Sequence, residues 1–447
     1  LLDNGYLYRE TEKQWYSPNE NRFLPDRYVE GTCYLCGYEN ARGDQCDGCG
    51  SILDGKKLVH PRSRTGNLSL ELRDTEHFFL DLAKLAPQIS EYLAKDKTHW
   101  RSNVIKPSRY TVNEIGLHGR AITRDLDWGI PVPLSEWNDK CLYVWFEAVI
   151  GYLSASIEWA SNEGNPSLWH NWWYQPEARS YYFIGKDNIP FHAVVWPAML
   201  MSAGLALPRQ VFGHGWVTFG GQRMSKSLGS SVDPVEVSEH FGPDPLRLYL
   251  VKEIVYGNDG EFTWDRYIER YNVDLANNLG NLLSRLAAMV AKYSDGCVSA
   301  SGASGKLPKV ASEVLIRYKA GMEALALHEG AAAIFQLIDA TNEFIAETSP
   351  WVLAKQPENA EKLASVLFDV AEALRIIGVL LIPIMPSASV EILRRVGETT
   401  PLHDLRLDDD GCWRASGSRN IVAASPLWPR ASNPIIQTEV NASKEKS

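Results

Sequence analysis

Four cysteines fall in two pairs, Cys33-x-x-Cys36 and, after nine intervening residues, Cys46-x-x-Cys49. Each pair bends so that both sulfurs face one ion. Gly37, Gly48 and Gly50 allow tight turns with free N–H groups near the sulfurs. Four thiolates suit tetrahedral Zn²⁺ and fill every coordination position, so the predicted site is structural and leaves none open for catalysis. The alternative, redox or unliganded cysteines, runs against the paired spacing. A second group, Arg223-Met224-Ser225-Lys226-Ser227, follows Gly220-Gly221. Two cations three residues apart, with a hydroxyl between them, can grip a polyphosphate and stabilise charge on departing pyrophosphate. Alone, these five residues also describe a basic surface loop. A position just after a strand of an α/β sheet favours ligand binding.

The elements that must position these groups change along the chain. Residues 1–30 are aromatic and polar without a clear period. Residues 74–95 have helical apolar spacing, and Pro107 is expected to close that region. Residues 120–265 read as α/β: strands at 141–146, 180–185 and 210–219, with a helix at 189–202. Strand, short loop and helix in repetition predict a parallel sheet with crossover helices. Beyond residue 266, helical spacing at 272–292, 311–328, 331–348 and 361–381 predicts a helix bundle. The bundle carries 11 basic and 13 acidic residues over 266–390, so binding there must rest on specific contacts. A loop at 408–418, an extended segment at 420–428 and a frayed tail from 431 complete the reading.

Composition bounds the function. With 45% hydrophobic and 22% charged residues, the 447-residue chain is neither disordered nor fibrous. A net charge of −10 excludes a globally basic nucleic-acid binder but not a local patch. The longest apolar stretch, 376–385, is too short to span a bilayer. Seven cysteines, four of them clustered, predict a reducing compartment and a cytoplasmic location. The chain opens at Leu1 and its first methionine is Met199, so an upstream piece is expected.

RMSKS resembles the KMSKS signature of class I aminoacyl-tRNA synthetases. Further stretches narrow the resemblance to the methionyl-tRNA synthetase family: FLPDRYVEGTCYLCGYENARGDQCDGCG (23–50), AITRDLDWGIPVP (121–133), YVWFEAVIGY (143–152), FIGKDNIPFHAVVWPAML (183–200), GHGWVTFGGQRMSKSLG (213–229), NNLGNLLSR (277–285) and SPWVLAKQ (349–356). The resemblance implies a partial Rossmann-type α/β class I catalytic domain with a zinc-knuckle connective insertion, followed by an all-α anticodon-binding helix bundle. The expected boundaries are 1–26 for a remnant of the first catalytic half, 27–110 for the connective domain and 111–219 for the second catalytic half. The signature-loop region then takes 220–265, the bundle 266–395 and a C-terminal segment 396–447.

Carried over residue by residue, Trp145, Tyr152, Asp187, His192 and Trp196 match the methionine pocket, where soft thioether meets aromatic edges and Asp187 takes the ammonium. Arg124 matches an active-site arginine for carboxylate or phosphate. His214, Gly215 and Val217 match the adenine-binding strand edge, with Gly215 letting backbone approach the base. Met224, Ser225 and Lys226 match the ATP-binding signature, and Arg223 replaces its first lysine, keeping charge but changing geometry. Asn281, Arg285, Pro350 and Trp351 match anticodon readers, the Trp as a stacking face. The alternative for Trp351 is a core position beside a helix-breaking proline.

The implied activity is methionine–tRNA ligation, with ATP and Mg²⁺ as the substrate complex, structural Zn²⁺, initiator and elongator methionine tRNA as partners, no membrane, and a monomer. The family's His-x-Gly-His motif does not occur in this sequence. The competing reading is therefore a zinc-containing, tRNA-binding fragment without ligase activity. Synthetases for valine or leucine carry a large editing insertion, for which residues 54–120 leave no room.

Overall fold

A ten-residue antiparallel ladder dominates the first part of the chain, pairing Leu7–Ser17 with Glu71–Leu80 from Leu7↔Leu80 to Tyr16↔Glu71. The computed structural model describes residues 1–25, 28–43, 46, 53–64, 70–175, 177–224, 232–300 and 305–432. The ladder crosses the boundary expected at 26/27, because residues 7–17 belong with the segment that returns at 71–80. Aromatic and β-branched residues mixed with charges gave that strand no readable period. Above it, Val29–Thr32 pairs with Ala41–Arg42 and Val59–Ser63 in a small sheet carrying the first cysteines.

Two compact units divide the chain, Leu1–Gly213 and His214–Ser447. In the first, the region expected to be helical over 74–95 splits. Its opening residues finish the Glu71–Leu80 strand, and the helix Leu82–Ala94 begins at Asp81, whose side chain accepts from the Lys84 N–H. Pro107 lies inside the helix Ser102–Tyr110 rather than closing the region. The apolar run at 141–146 is a strand only at Cys141–Leu142. From Val144 it becomes the 19-residue helix Val144–Asn162. Phe146, Val149, Ile150 and Leu153 recur at helical spacing and pack in the unit's core, which overrides the local strand reading. Tyr181–Gly185 and Gln210–His214 pair as neighbours, joined by the turn Lys186–Asn188, a wide turn Phe191–Val195 and the helix Trp196–Ala203. Gly204, at φ +69°, ends that helix.

The second unit opens on Val217–Phe219, which pairs in parallel with Gly260–Phe262 and antiparallel with Gln222–Arg223. The strand expected over 210–219 is thus two strands, interrupted at Gly215-Trp216. The bundle consists of helices that include Gly280–Tyr293, Leu307–Glu323, Leu327–Thr348 and Ala360–Leu381. The last is buried along its second half, including Ile376–Leu381. The apolar stretch that was too short for a bilayer is therefore the middle of a core. One strand pair, Cys297–Ala300 with Gly417–Asn420, ties the C-terminal segment to the bundle. Among the described residues no helix is long and apolar enough to cross a membrane.

Candidate functional site

Trp145 and Tyr152 lie seven residues apart on the helix Val144–Asn162, about two turns, so they share a face. Tyr152 meets His192 and Trp196 with ring centroids 5.8 and 6.2 Å away, and Tyr182 at 5.1 Å. Hydrogen bonds lock the group: Tyr152 Oη to His192 Nε2 at 2.9 Å, His192 Nδ1 to the Asn188 carbonyl at 3.1 Å, and Trp196 Nε1 to Tyr182 Oη at 2.9 Å. His192 is 5% exposed and Trp196 2%, whereas Tyr152 is 42% exposed. The cluster is thus an aromatic wall with one open side.

Burial lowers the His192 pKa, outweighing the pull of the Asn188 carbonyl, so the ring is neutral near pH 7. The carbonyl only accepts, which puts the proton on Nδ1. Nε2 then accepts from the Tyr152 hydroxyl. Burial also raises the pKa of both Tyr152 and Tyr182, which keeps their hydroxyls protonated. Asp187 sits exposed in the turn Lys186–Asn188, one turn ahead of His192. A Cβ at Gly185 would lie 2.6 Å from its Oδ1, so the glycine leaves room for this carboxylate. Tyr182 was missed as a site residue because strand alternation alone marks it as core.

Trp145 packs its ring 5.7 Å from Phe191 and lines a cavity of about 390 Å³ with Arg124 and Tyr143. Arg124 lies 4.0 Å over the Tyr143 ring, and its Nη1 donates to the Ala121 and Thr123 carbonyls at 3.1 and 2.8 Å. The next residue anchors this strand. Asp125 accepts from Thr75 Oγ1 at 2.8 Å, pairs with Lys140, and lies 3.2 Å from His77 Nε2. Burial alone would raise its pKa, but the hydrogen bonds from His77, Lys140 and Thr75 prevail and hold it at about 2. Sequence spacing carried no signal for this cluster, since Thr75 and His77 come from a strand about fifty residues away.

Of the four paired cysteines, Cys33, Cys36 and Cys46 have sulfurs within 4.8 Å of one another, and Cys49 lies outside the described residues, as do Gly48 and Gly50. Cys36 Sγ and Cys46 Sγ are 3.6 Å apart. Tetrahedral bonds of ~2.3 Å to zinc would place sulfurs roughly 3.8 Å apart, so the donor set fits the ion. Gly37, at φ +78°, returns the chain, its N–H donating to the Cys33 carbonyl at 2.9 Å. The Leu35 N–H points at Cys33 Sγ from 3.4 Å. Burial pushes the Cys33 pKa up, yet backbone N–H groups of Cys36 and Leu35 bring it below the ordinary thiol value, toward the thiolate a metal needs.

In the second unit, Gly220 and Gly221 at φ +59° and +76° form a two-residue hairpin turn between Thr218↔Arg223 and Phe219↔Gln222. The Gly221 N–H is pinned by Glu261 Oε1 at 2.8 Å. This turn delivers Arg223 and then Met224, which packs partly buried against the core around Tyr249 and Phe262. Ser225 and Lys226 lie outside the described residues. His214 stands edge-on to Tyr256 at 4.6 Å. A Cβ at Gly215 would fall 1.9 Å from the Asn258 carbonyl oxygen. The glycine is therefore required by the passage of backbone at Asn258. Val217 pairs with Gly260.

Asn281 and Arg285 are four residues apart on the helix Gly280–Tyr293, hence on one face. Asn281 is exposed, while Arg285 Nη1 reaches Asn342 Oδ1 at 3.4 Å. Asn342 continues to Asn278 at 2.7 Å, and Asn278 to Asp339 at 2.8 Å, an amide chain that the sequence did not disclose. Ser349 at φ +45° breaks the helix Leu327–Thr348. Pro350 is buried and Trp351 is 43% exposed, so the tryptophan is not a core residue.

The family described as tRNA synthetases class I (M) matches residues 1–287, and that described as anticodon binding domain of methionyl tRNA ligase matches residues 298–407. The methionine–tRNA ligase of Corynebacterium glutamicum (strain R) is 39% identical over 437 residues, covering 93% of this chain and 69% of its own length. That of Roseiflexus castenholzii is 40% identical over 412 residues, covering 89% and 69%. Among solved structures, Mycobacterium tuberculosis methionyl-tRNA synthetase in complex with methionyl-adenylate superposes with a TM-score of 0.76 at 28% identity, covering 96% of this chain and 78% of that one.

Proposed function

The chain belongs to the methionine–tRNA ligase family of class I tRNA synthetases, and from that premise we propose that it activates L-methionine with ATP and transfers it to methionine tRNA, initiator and elongator alike. The methionine carboxylate attacks the α-phosphate of ATP, giving methionyl-adenylate and pyrophosphate. The terminal ribose of the tRNA then takes the methionyl group, and AMP leaves. Mg²⁺ accompanies the ATP.

The residues divide this work. The wall of Tyr152, His192 and Trp196, with Trp145 two turns before Tyr152 on the same helix, receives the thioether, since aromatic edges and a neutral imidazole suit a soft, uncharged group. Asp187 pairs with the ammonium. Arg124 offers a cation on the Tyr143 ring for the carboxylate or a phosphate. His214, Gly215 and Val217 supply the strand edge for adenine. Arg223, Met224, Ser225 and Lys226 serve the phosphates, the two cations stabilising charge on pyrophosphate. In the bundle, Asn281, Arg285, Pro350 and Trp351 read the anticodon. Zn²⁺ is held by Cys33, Cys36, Cys46 and Cys49 and fixes the knuckle without entering the chemistry.

The observation that carries the reading is the order of the two family matches, a methionine-type class I catalytic region followed by a methionyl anticodon domain. A tRNA-binding fragment without ligase chemistry is not favoured, since the relatives match across most of the chain. The test is methionine-dependent exchange of pyrophosphate into ATP. Exchange that vanishes in Asp187→Ala with zinc content intact supports the assignment. Near wild-type exchange in that variant refutes it.

A further inference from the structure

A cavity of about 670 Å³ opens where the strands Tyr181–Gly185 and Gln210–His214 begin. The Arg209 N–H donates to the Ser180 carbonyl there, at 2.9 Å. Asp187 and His214 belong to the finishing ends of the same two strands, so the cavity lies away from the proposed ligation site. Its walls are the last turn of the helix Leu82–Ala94, the loop after it, and the segments around Arg179 and Arg209. Side-chain hydrogen bonds sew these walls together. Tyr92 Oη donates to the Pro208 carbonyl at 2.7 Å, and His99 Nε2 and Trp100 Nε1 each donate to the Arg209 carbonyl at 2.9 Å. The cavity is thereby held open on fastened backbone.

Cations outnumber carboxylates in the lining. Lys95, Lys97, Arg179 and Arg209 stand against Glu91 and Asp96, a surplus of two positive charges. Asp96 is already engaged, with Oδ2 3.0 Å from Arg209 Nη1. Its φ of +46° is a left-handed turn that precedes Lys97, whose Nζ lies 3.8 Å from the Tyr92 ring centre and 5.2 Å from that of Trp100. Burial brings the Lys97 pKa down to about 8, and the neighbouring Arg209 cation adds to this against the pull of Asp96. Two cations are thus held together in a half-closed space, a repulsion that an incoming anion would relieve. Between them and the helix the floor is apolar, with Met201 and Leu207.

We propose that this cavity binds a small phosphate monoester with an apolar body, its phosphate meeting Lys97 and Arg209 and its body lying on Met201 and Leu207. A dianion matches the surplus of two charges, and three terminal oxygens can accept from separate walls at once. A single carboxylate would leave one cation uncompensated. The volume is that of a small-molecule site. None of the residues assigned to ligation takes part.

The test is calorimetric titration of wild type, Lys97→Met, Lys97→Arg and Arg223→Ala with phenyl phosphate and with inorganic phosphate. Wild type should bind phenyl phosphate more tightly than inorganic phosphate. Lys97→Met should lose about tenfold or more in affinity for phenyl phosphate, the size of a charge-assisted hydrogen bond. Arg223→Ala, which alters the proposed ATP signature, should bind as wild type does. The probe is a dianion from about pH 7 upward, so Lys97 governs the pH dependence. Among its neighbours, burial raises the Tyr92 pKa and keeps that hydroxyl neutral, and Arg209 lowers that of Asp96 and keeps it charged. The anion favours the charged amine, which is lost as pH rises through about 8. Wild-type affinity should therefore fall roughly five- to tenfold from pH 7 to 9, and Lys97→Arg should stay flat. No binding by wild type, equal affinity for the two phosphates, or undiminished binding by Lys97→Met overturns the proposal. So does loss of binding in Arg223→Ala alone, which would put the ligand on the signature loop. A thermal melt verifies folding. Should Lys97→Met not fold, a flat pH profile in wild type overturns the proposal by itself.

Discussion

The wall around His192 and the polar helix face around Arg285 are both tied by a few side-chain hydrogen bonds, yet they differ in burial. In the wall, His192 and Trp196 are almost wholly enclosed and each ring nitrogen has a fixed partner. On the bundle, Asn281 is exposed, Trp351 is half out, and Arg285 is tethered by one long 3.4 Å contact. A thioether side chain offers few polar handles, so a pocket for it must be finished before it arrives. A nucleic acid brings many polar groups, so its site can remain a set of donors and a stacking face on rigid helices. The lesson is that hydrogen-bonded side chains serve as lock or as contact surface according to what lies behind them.

Locality is the first way to break this comparison. If wall and bundle are each built by their own packing, removing the knuckle's metal should disturb neither. Binding at such sites is worth roughly 10–16 kcal/mol in small zinc peptides. Cys46→Ala, or a strong chelator, should therefore release one zinc ion and make residues 28–63 protease-sensitive. Amide exchange in the helices Val144–Asn162 and Ala360–Leu381 should stay protected. Zinc-free protein from chelator-free buffers would end the metal assignment, and collapse of both regions would end the claim of locality.

The buried lock should be the more sensitive of the two sites to a single atom. Tyr152→Phe removes the hydroxyl that donates to His192 Nε2 and leaves a largely buried acceptor unpaired, at about 1–3 kcal/mol. Its KM for methionine should rise about tenfold while that for ATP holds. An unchanged KM would mean that the hydrogen bond does not shape the pocket. On the bundle, Trp351→Ala should weaken methionine tRNA by ~1–3 kcal/mol through loss of one base stack. A tRNA with an altered anticodon should bind wild type and variant alike. Equal loss for both tRNAs would make Trp351 structural.

The smallest effect is in pH. His192 has a depressed pKa in the folded protein, so the unfolded chain binds the extra proton first. The stability due to the neutral ring is fully present above the unfolded value of about 6.5 and declines as pH falls from there through the folded pKa. Melting temperature should therefore drop more between pH 6.5 and 5 in wild type than in His192→Gln. Parallel profiles would remove His192 as the group responsible.

Much of this was legible in the sequence, and the failures have physical causes. Cysteine spacing, glycine turns and the bundle's apolar spacing are local signals: Cys33, Cys36 and Cys46 come together, Gly220 and Gly221 turn the chain, and the bundle helices form. The run from Cys141 to Phe146 misled because a short buried strand and a buried helix start look alike; only the recurrence of Val149, Ile150 and Leu153 separates them. Gly215 was legible as a glycine that permits close approach, but not that Asn258 is what approaches. Tyr182 was hidden because strand alternation alone marks it as core, and the Thr75–His77–Asp125–Lys140 cluster because its members come from distant parts of the chain.

The central claim is that the enclosed wall is a finished methionine site with Asp187 as its ammonium partner. Calorimetric titration of L-methionine, without ATP or tRNA, tests it most directly. The account predicts one methionine bound per chain by wild type. Asp187→Ala should lose affinity by roughly tenfold or more, since a hydrogen bond to a charged group is worth ~1.5–3 kcal/mol. Wild-type affinity in Asp187→Ala, or binding unchanged by Trp145→Ala, would contradict it.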